Sequence, residues 1–265
     1  MQQLSIGSGD INVSKLSFGT GSMHHILSFK KRIKLLDTAA ESGFTHFDTS
    51  PYYGYGLAEK DLGRFIRGRR GQFTVATKVG LYPPDKIYKN GFALTARKII
   101  EKLKPSLSFP KIDWHIKSSE RSLHLSLKTL GTEYVDIVYL HEPDIALIST
   151  DEYLRWLERM VNSGHVRAWG LAGEKENLIP FLGQGGFSAG LLQTRDSISL
   201  DQVKFLKTFN KKANFTYGYL SQNPPVPGRS VEDILDLASK KHSNGSIIVS
   251  TKSCLRVKEM ARYFA

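Results

Sequence analysis

A single cysteine, Cys254, stands among 265 residues, so no internal disulfide can form. A reducing compartment is the simplest setting for such a chain. No apolar run approaches the roughly 20 residues of a membrane-crossing helix. The opening Met1-Gln2-Gln3-Leu4-Ser5-Ile6-Gly7 has no basic patch ahead of an apolar stretch, so no secretory leader is expected here and the cytoplasm is the expected location. Solenoid-period repeats, low-complexity tracts and Pro/Gly/Ser-rich linkers are all missing, which favours one domain over residues 1–265. No group of His, Cys and carboxylates has metal-ligand spacing, so no metal is expected. Glycine is also missing at one telling place. Gly19-Thr20-Gly21-Ser22-Met23-His24 follows the first core strand but fails at the third glycine of the G-x-G-x-x-G dinucleotide fingerprint, which argues against a doubly wound sheet.

What is present is ample for one core: 40% of the residues are hydrophobic and 11% aromatic. The length is close to the roughly 250 residues typical of an eight-stranded β/α barrel. The formal net charge is +12, which permits an anionic partner or cofactor. Its carriers, such as Lys30, Lys31, Lys34, Arg64, Arg67 and Lys240, are spread over helix faces and loops and read as solvated surface. Cations interleaved with aromatics occur only around Lys86-Ile87-Tyr88-Lys89, so nucleic acid is not the expected partner.

The chain is organised around residues 44–59. Phe44-Thr45-His46-Phe47 reads as a short strand running into Asp48. Tyr53 follows in a loop with Gly54 and Gly56, and a helix with Leu62, Phe65 and Ile66 at helical spacing comes next. Before it lie a hairpin (Leu4–Ile6 with Ile11–Val13), a strand from Leu16 and a helix over Lys30–Ser42. After it come strands over Gln72–Val79, Tyr134–His141, Val166–Leu171, Ala189–Gln193, Phe215–Tyr217 and Ser246–Ser250. Helices are predicted between them over Ser119–Leu130, Asp151–Asn162, Glu174–Leu182, Ser199–Asn210 and Ser230–His242, with a last one over Val257–Phe264. The long segment Leu81–Ser118 reads as a functional loop with a short helix near Thr95–Leu103. Alternation of strands and helices points to parallel β-α units. The expected fold class is therefore α/β, a (β/α)8 TIM barrel with an N-terminal β-hairpin.

Reactive residues of such a barrel gather at the C-terminal ends of the strands. Asp48, Lys78 and His141 stand at three successive ones, and Tyr53 lies in the loop after the first. Phe73, Val75 and Thr77 share one face of their strand and Thr74, Ala76 and Lys78 the other, so Lys78 belongs to a crowded interior. Each residue alone has a bland reading: Asp48 caps a turn, Lys78 snorkels, His141 is a satisfied core histidine. Together their chemistry is coherent. An ammonium beside a phenol lowers its pKa, a carboxylate neutralises a buried ammonium, and an imidazole orients a carbonyl oxygen. Tyr53 is then an acid that protonates an oxygen as charge develops on it.

The pieces Phe47-Asp48-Thr49-Ser50, Tyr53-Gly54, Glu59, Leu62-Gly63, Thr77-Lys78, Leu140-His141, Gln193, Tyr217 and Ser250-Thr251-Lys252-Ser253 with Arg256 resemble those of the aldo-keto reductase family, and the likeness runs from the hairpin to the last helix. The resemblance implies Tyr53 as general acid, tuned by Lys78 and Asp48, with His141 positioning the substrate. It implies Tyr217 stacked on a nicotinamide and Gln193 bonded to its carboxamide. Gly19, Thr20, Gly218 and Leu220 would border the cofactor, and Ser250, Thr251, Ser253 and Glu259 would lie along its phosphate and adenine end. Lys252 and Arg256, four apart, would share a helix face and clamp a 2′-phosphate, which favours NADP(H) over NAD(H). A helix N-terminus at Ser253 suits phosphate.

Several positions depart from the family. Ala172-Gly173 stands where a serine-asparagine pair is usual, Asp196 where an aromatic is expected, and Met260 replaces a common asparagine. The chain stops at Ala265, so the expected C-terminal loop is short or absent and the pocket open. The expected function is NADPH-dependent reduction of an aldehyde or ketone, with a small-molecule carbonyl compound as partner. The alternatives are NAD(P)-dependent oxidation of a sugar or alcohol, and a low-turnover nucleotide-binding sensory or regulatory subunit. Loop residues Lys86 and Lys89 would favour an anionic or phosphorylated substrate, and the loops Glu142-Pro143-Asp144 and Asn223–Gly228 would shape the pocket.

Overall fold

Eight parallel strands close into a barrel in the computed structural model, which describes residues 1–7, 11–84, 109–184, 186–221 and 228–264. In chain order they are β3 (Leu16–Gly19), β4 (His46–Asp48), β5 (Thr74–Val79), β8 (Val135–His141), β9 (Val166–Ala172), β10 (Leu191–Arg195), β11 (Phe215–Tyr217) and β12 (Ser246–Val249). The last pairs with the first, Val249 opposite Phe18. An antiparallel hairpin of β1 (Gln3–Ile6) and β2 (Ile11–Ser14) precedes the barrel. Its Ile6, Ile11 and Val13 are buried with Ala76, Ile137, Tyr139 and Phe215, which plugs the barrel interior.

The strand alternation read from the sequence holds. On β5 Ala76 packs inward, while Val75 and Val79 join the larger apolar layer between strands and helices. That layer takes Leu35, Leu36 and Ala39 from the helix Phe29–Glu41, and Leu62, Phe65 and Ile66 from Leu57–Ile66. It also takes Leu123, Leu127 and Leu130 from Ile116–Leu130, and Trp156 and Leu157 from Thr150–Asn162. Ser230 and Asp233 form a reciprocal capping box at the start of Val231–Lys241, satisfying N–H groups that the helix itself cannot pair.

Several segments differ from expectation, among them the last helix, expected over Val257–Phe264 and found over Cys254–Arg262. The helix expected from Ser119 begins at Ile116. Two short strands, β6 (Leu81–Tyr82) and β7 (Lys111–Ile112), pair antiparallel where a long loop was expected; the helix expected near Thr95–Leu103 lies outside the described residues. The strand expected over Ala189–Gln193 starts at Leu191, because Phe187–Ala189 forms a 3-10 turn and Gly190 rides on the Trp169 ring. The helix expected over Ser199–Asn210 is a 3-10 helix over Gln202–Phe209, bracketed by Asp201 and Asn210, both with left-handed backbone. A left-handed Asp201 prevents a helix from running through from Ser199.

Candidate active site

The loop that presents Tyr53 turns through three consecutive left-handed residues, Gly54, Tyr55 and Gly56, with φ of 58°, 56° and 81°. Glycine adopts this backbone without cost and tyrosine does not. Tyr55 is held in it by burial at 2% exposure. The turn sends the chain back into the helix Leu57–Ile66 and leaves Tyr53 above the end of β4, with Gly21 against its ring.

Asp48 ends β4, in register with Gly19 on β3 and Ala76 on β5. Lys78 rises from β5, and His141 ends β8 opposite Ala172 of β9. All four sequence-predicted catalytic residues border one cleft of about 390 Å³ at the C-terminal mouth of the barrel, a volume within the usual range for a small-molecule site. Lys78 Nζ lies 2.7 Å from each oxygen of Asp48 and 3.0 Å from the Thr49 carbonyl. Its three hydrogens are thereby committed. It meets Tyr53 as a cation 4.8 Å from the ring centroid. The rings of Tyr53 and His141 stand edge to face with centroids 6.0 Å apart.

The electrostatics correct one expectation. An ammonium was expected to lower the Tyr53 pKa. Instead burial, then the charges of Asp48 and Glu142, hold the phenol well above its ordinary value. The reason is geometric: the ammonium is already neutralised by Asp48. Burial also lowers the Lys78 pKa, and Asp48 opposes that drop. Burial and the nearby Lys78 charge push His141 well below the ordinary histidine value, which leaves a neutral imidazole. Its Nδ1 is buried without a partner.

The expected cofactor residues divide into three groups. Gly19, Gln193, Tyr217, Gly218, Leu220 and Ser250 border the same cleft as Asp48, Tyr53, Lys78 and His141. Gln193 donates its Nε2 hydrogen to Asp48 Oδ2 at 2.9 Å, while its Oε1 is buried without a partner. An orphaned buried acceptor costs free energy until a donor arrives, and a carboxamide N–H is a donor of the right kind. Gly218 has φ of 106°. Ser250 donates to the Gly19 carbonyl at 2.8 Å and pairs with Ser22 at 2.8 Å. These features fit a nicotinamide cofactor.

Thr20 behaves differently. It is buried, and its hydroxyl donates to the Asp48 carbonyl at 3.0 Å; it ties β3 to β4 and does not border the cleft. The remaining residues, Thr251, Lys252, Ser253, Arg256 and Glu259, surround the start of the helix Cys254–Arg262. Ser253 is its N-cap, accepting the Arg256 N–H at 3.4 Å, and Thr251 accepts the Ser253 N–H at 3.2 Å. Lys252 lies ahead of that cap, outside the helix. The shared-face argument for Lys252 and Arg256 therefore fails, although both side chains are exposed beside a helix start.

Two residues carry more than the sequence reading gave them. Asp196 is fully buried and accepts from Tyr219 at 2.6 Å, the Gln202 N–H at 2.8 Å and His242 at 2.7 Å, with Lys241 at 2.8 Å. It anchors the wall of the cleft, which explains a carboxylate at that position. Glu142 borders the cleft directly after His141. Its place next to a strand-end histidine was the available signal. Lys86, Lys89 and residues 223–227 lie outside the described residues.

Residues 15–179 match the sequence model of the Aldo/keto reductase family. The chain is 27% identical over 179 residues to the aldo-keto reductase YhdN of Bacillus subtilis (strain 168), covering 65% of this chain and 47% of that protein. It is 29% identical over 177 residues to a probable voltage-gated potassium channel subunit beta of Oryza sativa subsp. japonica, covering 64% and 46%. The chain thus spans about half the length of the curated relatives it matches. Among solved structures, an aldo-keto reductase from Klebsiella pneumoniae in complex with NADPH is similar with a TM-score of 0.69 at 19% identity, covering 99% of this chain and 90% of that one. This likeness shows the barrel fold. No described helix is long and apolar enough to cross a membrane.

Proposed function

The chain belongs to the aldo/keto reductase family, and from that premise we propose that it reduces an aldehyde or ketone to an alcohol with NADPH as hydride donor. The observation that carries this reading is the committed geometry of Lys78, fixed by three acceptors beneath the Tyr53 ring while Tyr53 keeps a raised pKa. The NADPH of the similar Klebsiella structure supports the choice of cofactor, as do the exposed Lys252 and Arg256 beside a helix start.

When bound, NADPH supplies a hydride to the carbonyl carbon. Gln193, whose Oε1 has no partner, would hold the carboxamide of the cofactor, and Tyr217 would hold its nicotinamide ring. His141, neutral, donates one N–H to the carbonyl oxygen and orients it. Tyr53 holds its proton while the substrate binds, because burial and two carboxylates disfavour the phenolate. As negative charge develops on the carbonyl oxygen, the Tyr53 O–H donates to it. The phenolate left behind is stabilised by the Lys78 cation. Asp48 keeps that cation charged and in place, and Gln193 holds Asp48 in turn.

The test is NADPH consumption with a reactive aromatic aldehyde, comparing the parent with Tyr53→Phe. Turnover in the parent that collapses in the variant is expected. Equal turnover in both would remove Tyr53 as the acid. NADPH binding without turnover in either would favour a nucleotide-sensing subunit, in line with the channel subunit among the relatives.

A further inference from the structure

The cleft carries one charge that the proton transfer leaves unused. Among the described residues, the charged side chains on its wall are Asp48, Lys78 and Glu142. Asp48 and Lys78 cancel at 2.7 Å. Among the described residues Glu142 has no such counterpart; burial raises its carboxyl pKa above the ordinary value, and the hydrogen bond from the Glu174 N–H opposes that rise. Arg195, the cation that acts on it, donates its Nε hydrogen to Glu174 at 2.8 Å. The other acid that acts on it, Glu176, has Lys175 at 3.6 Å. Among the described residues the local balance is one uncompensated carboxylate, in a protein whose overall charge is +12.

That carboxylate is held in place. Glu142 has a left-handed backbone with φ of 50°, a conformation that a non-glycine residue keeps only where its surroundings enforce it. Its N–H donates to the Ala172 carbonyl at 2.7 Å, and its Oε2 accepts the Glu174 N–H at 3.0 Å. It lies over Gly173, where an added Cβ would come within 2.6 Å of Oε2. The bare Gly173 is thus the space that the carboxylate occupies. Oε1 has no hydrogen-bond partner among the described residues. The charge is felt across the cleft, since it raises the pKa of both Tyr53 and Tyr217.

We propose that Glu142 selects the substrate: the cleft takes carbonyl compounds that present hydroxyl or ammonium groups beside the reacting carbon, and turns away those carrying a carboxylate or phosphate. The inference rests on the reductase reading for the position of the carbonyl, between Tyr53 and His141 in the cleft that Glu142 also borders. Carboxylates accept hydroxyl and ammonium hydrogens strongly, and a like charge inside a half-buried cleft is poorly screened.

The experiment uses three benzaldehydes of one shape, with a para carboxylate, carboxamide or trimethylammonium group. Each is measured for kcat/KM with NADPH and for Kd by titration calorimetry, against the parent, Glu142→Gln and Glu142→Asn. Glutamine keeps the shape and the acceptor for the Glu174 N–H, and asparagine tolerates the left-handed backbone. The parent is expected to prefer the cation to the anion by about tenfold or more, as unit charges across a partly solvated cleft imply. Both variants are expected to bring that ratio toward one. A parent indifferent to charge, a ratio that survives both substitutions, or no binding of any of the three overturns the proposal. Charge-ordered binding without turnover supports the selection and sinks the reductase reading, while turnover without charge order does the reverse.

Discussion

Lys78 Nζ sits 2.7 Å from both carboxylate oxygens of Asp48, each side chain being no more than 5% exposed. An ammonium at that depth stays charged only because a carboxylate faces it. Asp48→Asn removes the counter-charge and leaves the amine desolvated. The variant is expected to lose about 3 kcal/mol of stability, the lower end for breaking a buried pair, and about 10²-fold or more in kcat. Urea denaturation and steady-state kinetics at one pH check the two losses separately. A variant with parental stability and kcat would show that the pair does neither task.

The pH profile of reduction follows from the same contacts. Tyr53 must be protonated to donate, and burial with Asp48 and Glu142 holds its pKa well above the ordinary phenol value. The acid form therefore persists as pH rises, and its loss falls above about pH 10. His141 is pushed well below the usual histidine range, so it gains no proton near neutrality. Neither group titrates between about pH 6 and about pH 10, so a descending limb of kcat in that window is assigned to Lys78, whose pKa burial lowers while Asp48 opposes the drop. Asp48→Asn is expected to move that limb to lower pH; a limb that the substitution leaves in place would mean a lowered Tyr53 pKa and would restore the tuning that the sequence suggested.

The barrel, and the meeting of Asp48, Tyr53, Lys78 and His141 at one cleft, were legible because they rest on local patterns. Thr74, Ala76 and Lys78 alternate with Phe73, Val75 and Thr77, and period-two alternation assigns faces without knowledge of the rest of the chain. Asp48, Lys78 and His141 each close a strand, so topology alone gathers them. What escaped depends on meetings between distant segments or on backbone detail. Asp196 meets Lys241 and His242 across 45 and 46 positions, and only the folded chain joins them. Lys252 stands before a cap at Ser253, and helix ends are set by capping geometry that spacing does not reveal. Glu142 owes its position to a left-handed backbone and to the bare Gly173, neither of which has a periodic signature.

Asp196 gives a prediction on acid stability. Burial pushes its carboxyl pKa up, but hydrogen bonds from His242, Lys241, Tyr219 and the Ser197 backbone outweigh burial and leave it far below the ordinary value. With the folded pKa depressed, the unfolded chain binds the proton first, so stability falls as pH drops. The contribution is whole above the unfolded value of about 3.9 and is lost progressively below it. Asp196→Asn is expected to cost about 1–3 kcal/mol at neutral pH by weakening the hydrogen bonds from Tyr219 and His242, while Lys241 keeps Asp201 at 2.8 Å. It should also flatten the loss of stability between about pH 6 and about pH 3. Urea denaturation of both proteins at the two pH values checks the difference, and equal slopes would deny the Asp196 cluster this role.

Gly63 tests the packing that sets the site's outer support. It lies in the helix Leu57–Ile66, which begins directly after the Tyr53 loop. An added Cβ would meet the Leu130 carbonyl oxygen at 2.6 Å and the Thr129 carbonyl oxygen at 2.7 Å. Both are backbone atoms of the end of the helix Ile116–Leu130, so no flexible side chain can yield. One methyl group must drive the two helices apart or strain one of them. Gly63→Ala is therefore expected to destabilise by about 1–3 kcal/mol, the usual cost of overpacking, although alanine has the better helix propensity by about 1 kcal/mol. A rise in the thermal midpoint would mean that the helices separate freely and that the contact supports nothing. A fall with unchanged kcat would place the cost in the helix pair alone. A fall in both would mean that the strain reaches Tyr53 through the turn that joins it to the displaced helix.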